Sequence, residues 1–145
     1  MIKVSYSLKS VALDSYRRNL GQLSVAVGNA AANIEGNAKQ SIEMSSGQYK
    51  KYPGRKEHPH WSSPPGTPPN ADMGGSGLSG SIESKMTGRT SAEVNVGAKY
   101  GIPLELGWMT QSGTHVPARP FLRPAVEKEA PAFQAAVKVI LKGGK

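Results

Sequence analysis

Apolar residues recur along this chain with two periods, one typical of a strand and one of a helix. They first alternate with polar residues, which predicts a half-buried strand, and these residues are Ile2, Val4, Tyr6 and Leu8. From Leu13 they step by three or four residues. That spacing predicts one face of a helix from about residue 11–14 to about 45, with Gly47 as its stop. The face comprises Leu13, Tyr16, Leu20, Leu23, Val27, Ala31, Ile34, Ala38 and Ile42.

Two further features of this helix concern how it packs. Gly21 and Gly28 lie beside the apolar face, where a residue without a side chain lets another backbone come close. The opposite face is rich in neutral amides, which either face water or hydrogen-bond to a neighbouring subunit. These amides are Gln22, Asn29, Asn33, Asn37 and Gln40.

Strand patterns return in the second half of the chain. Ser81–Met86 and Ala92–Gly97 flank a turn at residues 87–90, which predicts a β-hairpin. Tyr100–Leu106 is a short segment of mixed polarity. Residues 107–109 begin another strand, and Thr110–Gly113 forms a turn.

A second helical period closes the chain. Apolar residues step by three or four from Leu122 to Ile140, and the glycines at 143 and 144 end the pattern. Pro120 makes the chain arrive extended, and Pro124 is tolerated in the first turn of a helix. Pro131 lies deeper and predicts a kink or a restart. We therefore expect an α+β fold, in which a small, mainly antiparallel sheet packs against a long N-terminal helix and a C-terminal helix.

Residues 46–80 have a different composition from the rest. From Pro53 to Gly80, twelve of 28 residues are Pro or Gly, a density that excludes a helix or a central strand. Aromatic and basic residues cluster at the start of this segment, whereas disordered linkers lack aromatics. We interpret 46–80 as an extended arm, within a single domain of residues 1–145, that orders against a partner.

The amino-acid composition excludes some kinds of site and some kinds of partner. The chain of 145 residues has no cysteine, which excludes disulfides and thiolate chemistry and suits a reducing cytoplasm. No apolar run reaches the ~20 residues of a membrane span, so we expect no membrane partner. A net charge of +8 serves solubility or favours a polyanionic partner.

Sequence patterns that resemble catalytic or ligand sites lack the context that they need. Gly75, Gly77 and Gly80 match G-x-G-x-x-G, but prolines precede the motif and strand-like residues follow it. His58 and His60 have no carboxylate pair nearby to complete a metal site. Neither paired carboxylates nor a G-x-S-x-G motif is present. We expect no enzyme, no cofactor and no metal.

The candidate interaction residues lie in two places. The first is the basic and aromatic stretch Tyr49, Lys50, Lys51, Tyr52, Arg55, Lys56 and Trp61. It is a solvated loop, an arm that binds protein, or a surface where bases stack on aromatics. The second is the pair Arg119 and Arg123, which either carry surface charge or bind a neighbour's carboxylates in bidentate fashion.

Four segments together resemble one family, the neck or tail-completion proteins of long-tailed bacteriophages. In chain order they are Ser63–Pro69 (SPPGTPP), Gly77–Ile82 (GLSGSI), Tyr100–Gly107 (YGIPLELG) and Pro117–Ala125 (PARPFLRPA). The last is the most specific, and the resemblance covers most of residues 13–142. The basic insert around residues 48–61 and the N-terminal strand depart from the family pattern.

The resemblance implies a non-enzymatic structural protein of the virion. Such a protein forms a homo-oligomeric ring, a hexamer in the family, between the head-closure or connector proteins and the tail-tube or tail-terminator proteins. Genomic DNA passes through its lumen without sequence-specific contact. It acts in the virion neck after assembly in the host cytoplasm. A tail-terminator ring and a basic nucleic-acid-binding protein are the alternatives.

Overall fold

A computed structural model describes residues 2–3, 13–46, 50–52, 60–70 and 77–143, with the backbone alone at 2–3, 13–16, 50–52 and 60–61. The helices are α1 (Leu13–Glu43), α2 (Gly101–Leu106) and α3 (Leu122–Leu141), with a 3₁₀ turn at Ser79–Ser81. The strands are β1 (Ile2–Lys3), β2 (Lys50–Tyr52), β3 (His60–Ser62), β4 (Ile82–Gly88), β5 (Ser91–Val96), β6 (Trp108–Met109) and β7 (His115–Val116).

The strands form one small sheet and two ribbons, all antiparallel. The sheet has the order β1-β5-β4, and β4 and β5 form the predicted hairpin, with Ser84 opposite Val94 and a bulge between Met86 and Gly88. The ribbons pair β2 with β3 and β6 with β7. This confirms the α+β prediction. The predicted N-terminal strand is present at Ile2–Lys3, and its remainder lies outside the described residues.

Helix α1 is the centre of the fold, because the sheet and α3 both pack on it. Its predicted apolar face is buried from Leu23 onward, while described residues 17–22 contain no buried side chain. The main core joins this face to Leu78, Ile82, Phe121 and Ala125. The apolar period of α1 therefore identified the core face correctly.

Helices α1 and α3 run antiparallel, and polar contacts link them. Lys128 Nζ donates to Asn37 Oδ1 at 2.8 Å, and Asn33 Nδ2 donates to Glu129 Oε1 at 3.1 Å. Asn33 and Asn37 therefore bond within the chain. Both belong to the amides that we expected either to face water or to bond to a neighbouring subunit. Gly28 faces the Met86 sulfur, 3.6 Å from where its Cβ would lie, rather than another backbone.

Helix α3 follows the predicted period but buries little of it. Ala125 is its buried residue, whereas the apolar positions from Leu122 to Ile140 are only half-buried. A kink or a restart was predicted at Pro131; the helix continues through this residue, so there is no restart. Gly143, with φ of 81°, ends the helix as the sequence indicated.

The Pro- and Gly-rich segment contains more structure than expected. Strand β3 lies within it, although only in a two-stranded ribbon, so the exclusion of a central strand is consistent with the structure. Residues 63–70 lie against the body of the chain, where Ser45 Oγ donates to the Pro68 carbonyl at 2.8 Å. This part of the expected arm is already ordered by its own chain.

Candidate functional site

A corner before α3 brings distant parts of the chain together. Glu105, near the end of α2, accepts three backbone N–H groups at the start of α3. Its Oε2 accepts from Phe121 at 2.9 Å and from Leu122 at 3.0 Å, and its Oε1 accepts from Arg123 at 2.8 Å. A helix leaves its first N–H groups without partners, and a carboxylate there satisfies them and suits the helix dipole. Glu105 therefore caps α3 from another helix.

Arg119 joins the same corner to the Pro-rich segment. Its side chain is buried, with Nε donating to the Ser63 carbonyl at 2.9 Å and Nη1 to the Pro117 carbonyl at 3.3 Å. The N–H of Gly66 donates to the Ala118 carbonyl at 2.9 Å, a second link between these segments. The guanidinium thus holds the Pro-rich loop in place.

Two glycines allow α2 to approach its neighbours closely. Gly107 ends α2 with φ of 75°, and a Cβ there would lie 2.8 Å from the Val116 carbonyl oxygen and 2.9 Å from the Ala118 nitrogen. At Gly101 a Cβ would lie 2.5 Å from Val96 Cγ1 and 3.5 Å from Leu78 Cδ1. The corner therefore holds all four segments that carry the resemblance, namely Ser63–Pro69, Gly77–Ile82, Tyr100–Gly107 and Pro117–Ala125.

The polar side chains of the corner bind backbone groups. Three backbone donors hold the Glu105 carboxylate, and two backbone carbonyls hold the Arg119 guanidinium. Within the residues that the structure describes, His, Asp and Glu side chains nowhere gather in threes to hold a metal ion. None of the described helices combines the length and apolar character of a membrane span.

The two predicted arginines have different environments. Arg119 is an interior residue bonded to its own chain, which differs from the surface position expected of it. Arg123 is exposed, and its Nε donates to Glu127 Oε1 at 2.8 Å. This hydrogen bond raises the pKa of Arg123 above its ordinary value. Of the pair, Arg123 is therefore the one whose side chain is exposed.

The basic and aromatic stretch is partly described. The ribbon of β2 and β3 pairs Lys51 with Trp61 and Tyr52 with His60, so cationic and aromatic positions lie opposite each other. Lys50, in the same ribbon, is opposite Ser62. Tyr49, Arg55 and Lys56 lie outside the described residues. Two members of the predicted cluster, Lys51 and Trp61, are therefore neighbours across the ribbon.

The free side of β4 is partly closed by the chain itself. Ser84 N–H donates to Glu35 Oε2 at 2.7 Å, and Lys39 Nζ lies 2.6 Å from Glu35 Oε1. The hydrogen bond from Lys39 lowers the pKa of Glu35 most, and those from Ser84 add to it. Together they bring this pKa from its ordinary 4.5 to about 2. The N–H of Ile82 donates to the Ser79 carbonyl. Glu35 and the 3₁₀ turn therefore occupy edge positions where another strand would bind.

Among the described residues, apolar side chains are exposed or half-exposed in several places, of which we name two that sequence reasoning did not single out. One is a groove of about 500 Å³ between α1, β5 and α3. The other is formed by Ile102, Leu106, Trp108 and Met109, which are exposed on α2 and β6. The mixed polarity of residues 100–109 concealed the second surface, since short segments give no reliable period.

The comparisons with known proteins give no family. No protein-family model, no curated protein and no solved structure matches this chain. Function is therefore inferred from the chain's own residues and their arrangement.

Proposed function

We propose that this chain is a structural protein of a bacteriophage neck, forming a ring that joins the head-closure or connector complex to the tail. DNA passes through the ring without sequence-specific contact. The protein acts by fitting against copies of itself and against neighbouring proteins, in the virion and in the host cytoplasm during assembly.

The observation that carries this proposal is the meeting of the four family-like segments at one corner. They are separated by up to tens of residues in the chain. Glu105, Arg119 and Gly107 join three of them through hydrogen bonds and close backbone approach, and Gly101 lies against Leu78 of the fourth, Gly77–Ile82. Chance matches scattered along a sequence have no reason to meet in space. Their convergence supports a shared architecture, from which the shared role is inferred.

The exposed surfaces support a role in assembly. The groove between α1, β5 and α3 is largely apolar, and the apolar positions of α3 beside it are only half-buried. Contiguous apolar surface on a folded protein marks an interaction site. The basic ribbon adds a second kind of contact, suited to acidic surfaces of the adjoining rings.

The test is removal of the gene from the phage that carries it. We expect electron microscopy to show filled heads and tails of normal length that remain separate, and purified protein to restore joining when it is added to the lysate. Tails of abnormal length would instead identify a tail terminator. Normal infectious particles without the gene would refute the proposal.

The nucleic-acid alternative is tested separately by filter binding of DNA at two salt concentrations. A dedicated DNA-binding protein loses affinity steeply as salt rises, because counterions return to the phosphates. We expect weak binding even at the lower concentration. Tight binding with a steep salt dependence would favour the alternative.

A further inference from the structure

The outer edge of β5, on the side away from β4, is paired along only part of its length. Strand β1 lies beside Ser91 and Ala92, with Ile2 opposite Ala92. The edge continues through Val94 and Val96, and no strand of the described residues lies beside these two. An edge strand presents backbone N–H and C=O groups that pair readily with another strand. The sheet therefore has room for one more strand in line with β1.

The hydrogen bonds of the hairpin show which way these backbone groups point. Gly97 N–H donates to the Ser81 carbonyl at 2.8 Å, so these two residues form a hydrogen-bonded pair. Hydrogen-bonded and non-hydrogen-bonded pairs alternate along antiparallel strands. Val96 and Val94 therefore belong to non-hydrogen-bonded pairs with β4. Their N–H and C=O groups accordingly point away from β4, toward the open edge.

The two edges of the sheet differ in what fills them. On β4, the outward N–H of Ser84 donates to the Glu35 carboxylate, and that of Ile82 donates to a carbonyl of the 3₁₀ turn. For Val94 and Val96, the described residues provide no such partner. The chain thus occupies the edge of β4 and leaves the edge of β5 open beyond β1.

The groove between α1, β5 and α3 lies beside this open edge. Ala92 and Val94 line it from the sheet, and Val27 and Ile34 line it from α1. Residues directly opposite each other on antiparallel strands have their side chains on the same face of the sheet. A residue paired with Val94 therefore places its side chain in the groove, which has a volume of about 500 Å³. The next residue of the same strand points to the other face.

We propose that the edge of β5 at Val94 and Val96 accepts an extended segment of another protein chain. The segment runs antiparallel to β5, as β1 does, and has apolar residues at alternate positions. Its backbone pairs with the outward groups of β5 while its apolar side chains fill the groove, which is the mode of recognition called strand addition. A helix in the groove would leave those backbone groups to water, so the edge favours a strand. This inference goes beyond the proposed function and does not depend on it.

The probe is a peptide with the sequence of residues 1–10, MIKVSYSLKS, added to the purified full chain. It suits the test because its apolar residues alternate and because Ile2 of the chain already pairs with this edge. Fluorescence anisotropy of the labelled peptide measures binding, and hydrogen exchange by NMR locates it. We expect the amides of Val94 and Val96 to exchange roughly tenfold more slowly, or slower still, when the peptide is bound.

Two N-methylated peptides distinguish strand pairing from simple hydrophobic contact. Methyl groups on the nitrogens of Val4 and Tyr6 remove N–H groups that face β5 in the proposed register. Methyl groups on the nitrogens of Ser5 and Ser7 remove N–H groups that face away from β5, and the side chains of both peptides are the same. We expect the first peptide to lose affinity roughly tenfold or more, and the second to bind nearly as well as the unmodified one.

A substitution on α3 tests the groove itself. Ala130 lines the groove, so the indole of Ala130→Trp takes the space that the segment needs. Ala132→Trp is the matched control, because Ala132 is exposed on the same helix and does not line this groove. Circular dichroism checks that both variants fold. We expect the affinity for the unmodified peptide to fall roughly tenfold in Ala130→Trp and to stay unchanged in Ala132→Trp.

Four results would overturn the proposal. They are no binding of the unmodified peptide even at millimolar concentration, binding without protection of Val94 and Val96, equal affinities of the two methylated peptides, and full affinity in a folded Ala130→Trp. The methylated peptides leave the protein unaltered, so their comparison holds whether or not Ala130→Trp folds. Each result can occur while loss of the gene still separates heads from tails, so failure of this site is distinguishable from failure of the neck function.

Discussion

The carboxylate of Glu105 accepts the backbone N–H of Phe121 at 2.9 Å, which fixes the end of α2 to the start of α3. The next two N–H groups of α3 bind the same carboxylate. Helices begin with unpaired N–H groups, and here the partner comes from 16 residues earlier in the chain rather than from the residue before the helix. One side chain at the end of α2 thus holds the first backbone groups of α3.

Replacing Glu105 with Ala should lower the free energy of unfolding by about 2 kcal/mol, because three donors lose their partner in a partly buried site. Glu105→Gln should lower it less, since one amide oxygen still accepts. Urea denaturation followed by circular dichroism measures both. Glu127→Gln is the control, an exposed carboxylate on α3 whose loss should change little. Equal stabilities of wild type and Glu105→Ala would show that water caps the helix equally well.

Gly107→Ala should destabilise the chain by about 3 kcal/mol, because its φ of 75° disfavours a side chain and backbone atoms lie 2.8 and 2.9 Å from the added Cβ. Gly113→Ala is a matched control. Its φ is 78°, but nothing lies within 4 Å of the added carbon, so its cost should be about 1 kcal/mol. The measurement is the difference in free energy of unfolding between the two variants. A difference near zero would mean that the corner relaxes around the methyl group.

Arg119→Met keeps the aliphatic stem but leaves the Ser63 carbonyl without its donor, so we expect a loss of about 2 kcal/mol. The amide of Gly66 should also exchange its hydrogen faster, because the loop that it anchors is loosened. Hydrogen exchange by NMR and urea denaturation report these effects. Arg123→Met, at an exposed ion pair, should leave both quantities nearly unchanged. Unchanged exchange at Gly66 in Arg119→Met would contradict the anchoring role.

Glu35 should make the free energy of unfolding depend on pH. Its pKa in the folded chain is about 2, below the ordinary 4.5, so the unfolded chain binds the proton more readily. The contribution of the ionised carboxylate is therefore full above about pH 4.5 and is lost as the pH falls toward 2. Glu35→Gln should cost about 1 kcal/mol at pH 7, and the difference from wild type should shrink across that window. A difference independent of pH would mean that the carboxylate charge contributes nothing. Glu43→Gln, exposed on the same helix, serves as the comparison.

Reversing the charge of the basic stretch should separate folding from assembly. The four cations changed to Glu are Lys50, Lys51, Arg55 and Lys56. We expect an unchanged urea midpoint for the purified chain, and phage carrying this variant should yield heads and tails that fail to join. A control with the same change in net charge reverses four exposed cations elsewhere, namely Arg17, Arg18, Lys85 and Lys142. Infectious particles from the first variant, or equal defects in both, would argue against a specific contact at residues 48–61.

The sequence by itself determined the elements whose signal is periodic and local. The apolar face of α1, the hairpin of β4 and β5 and the course of α3 all follow from spacings within one element, since side chains three or four apart share a helix face and alternate residues share a strand face. The same spacing named six of the seven buried residues of α1 from Leu23 to Ile42 and missed only Ala30. It could not show that α3 would be covered on one side only, because that depends on how two helices and a sheet dock.

Only the tertiary structure decided the roles of single polar residues. Arg119, expected at an interface, is buried against Ser63, 56 residues away, and Glu105 gave no sign in the sequence that it would cap α3. The Pro-rich segment, expected to reach outward, is held in part by its own chain. Such contacts join residues far apart in sequence, and a hydrogen bond depends on distances of about 3 Å that are set only once the whole core has packed. Local pattern therefore determined the elements, and global packing determined the corner and the groove.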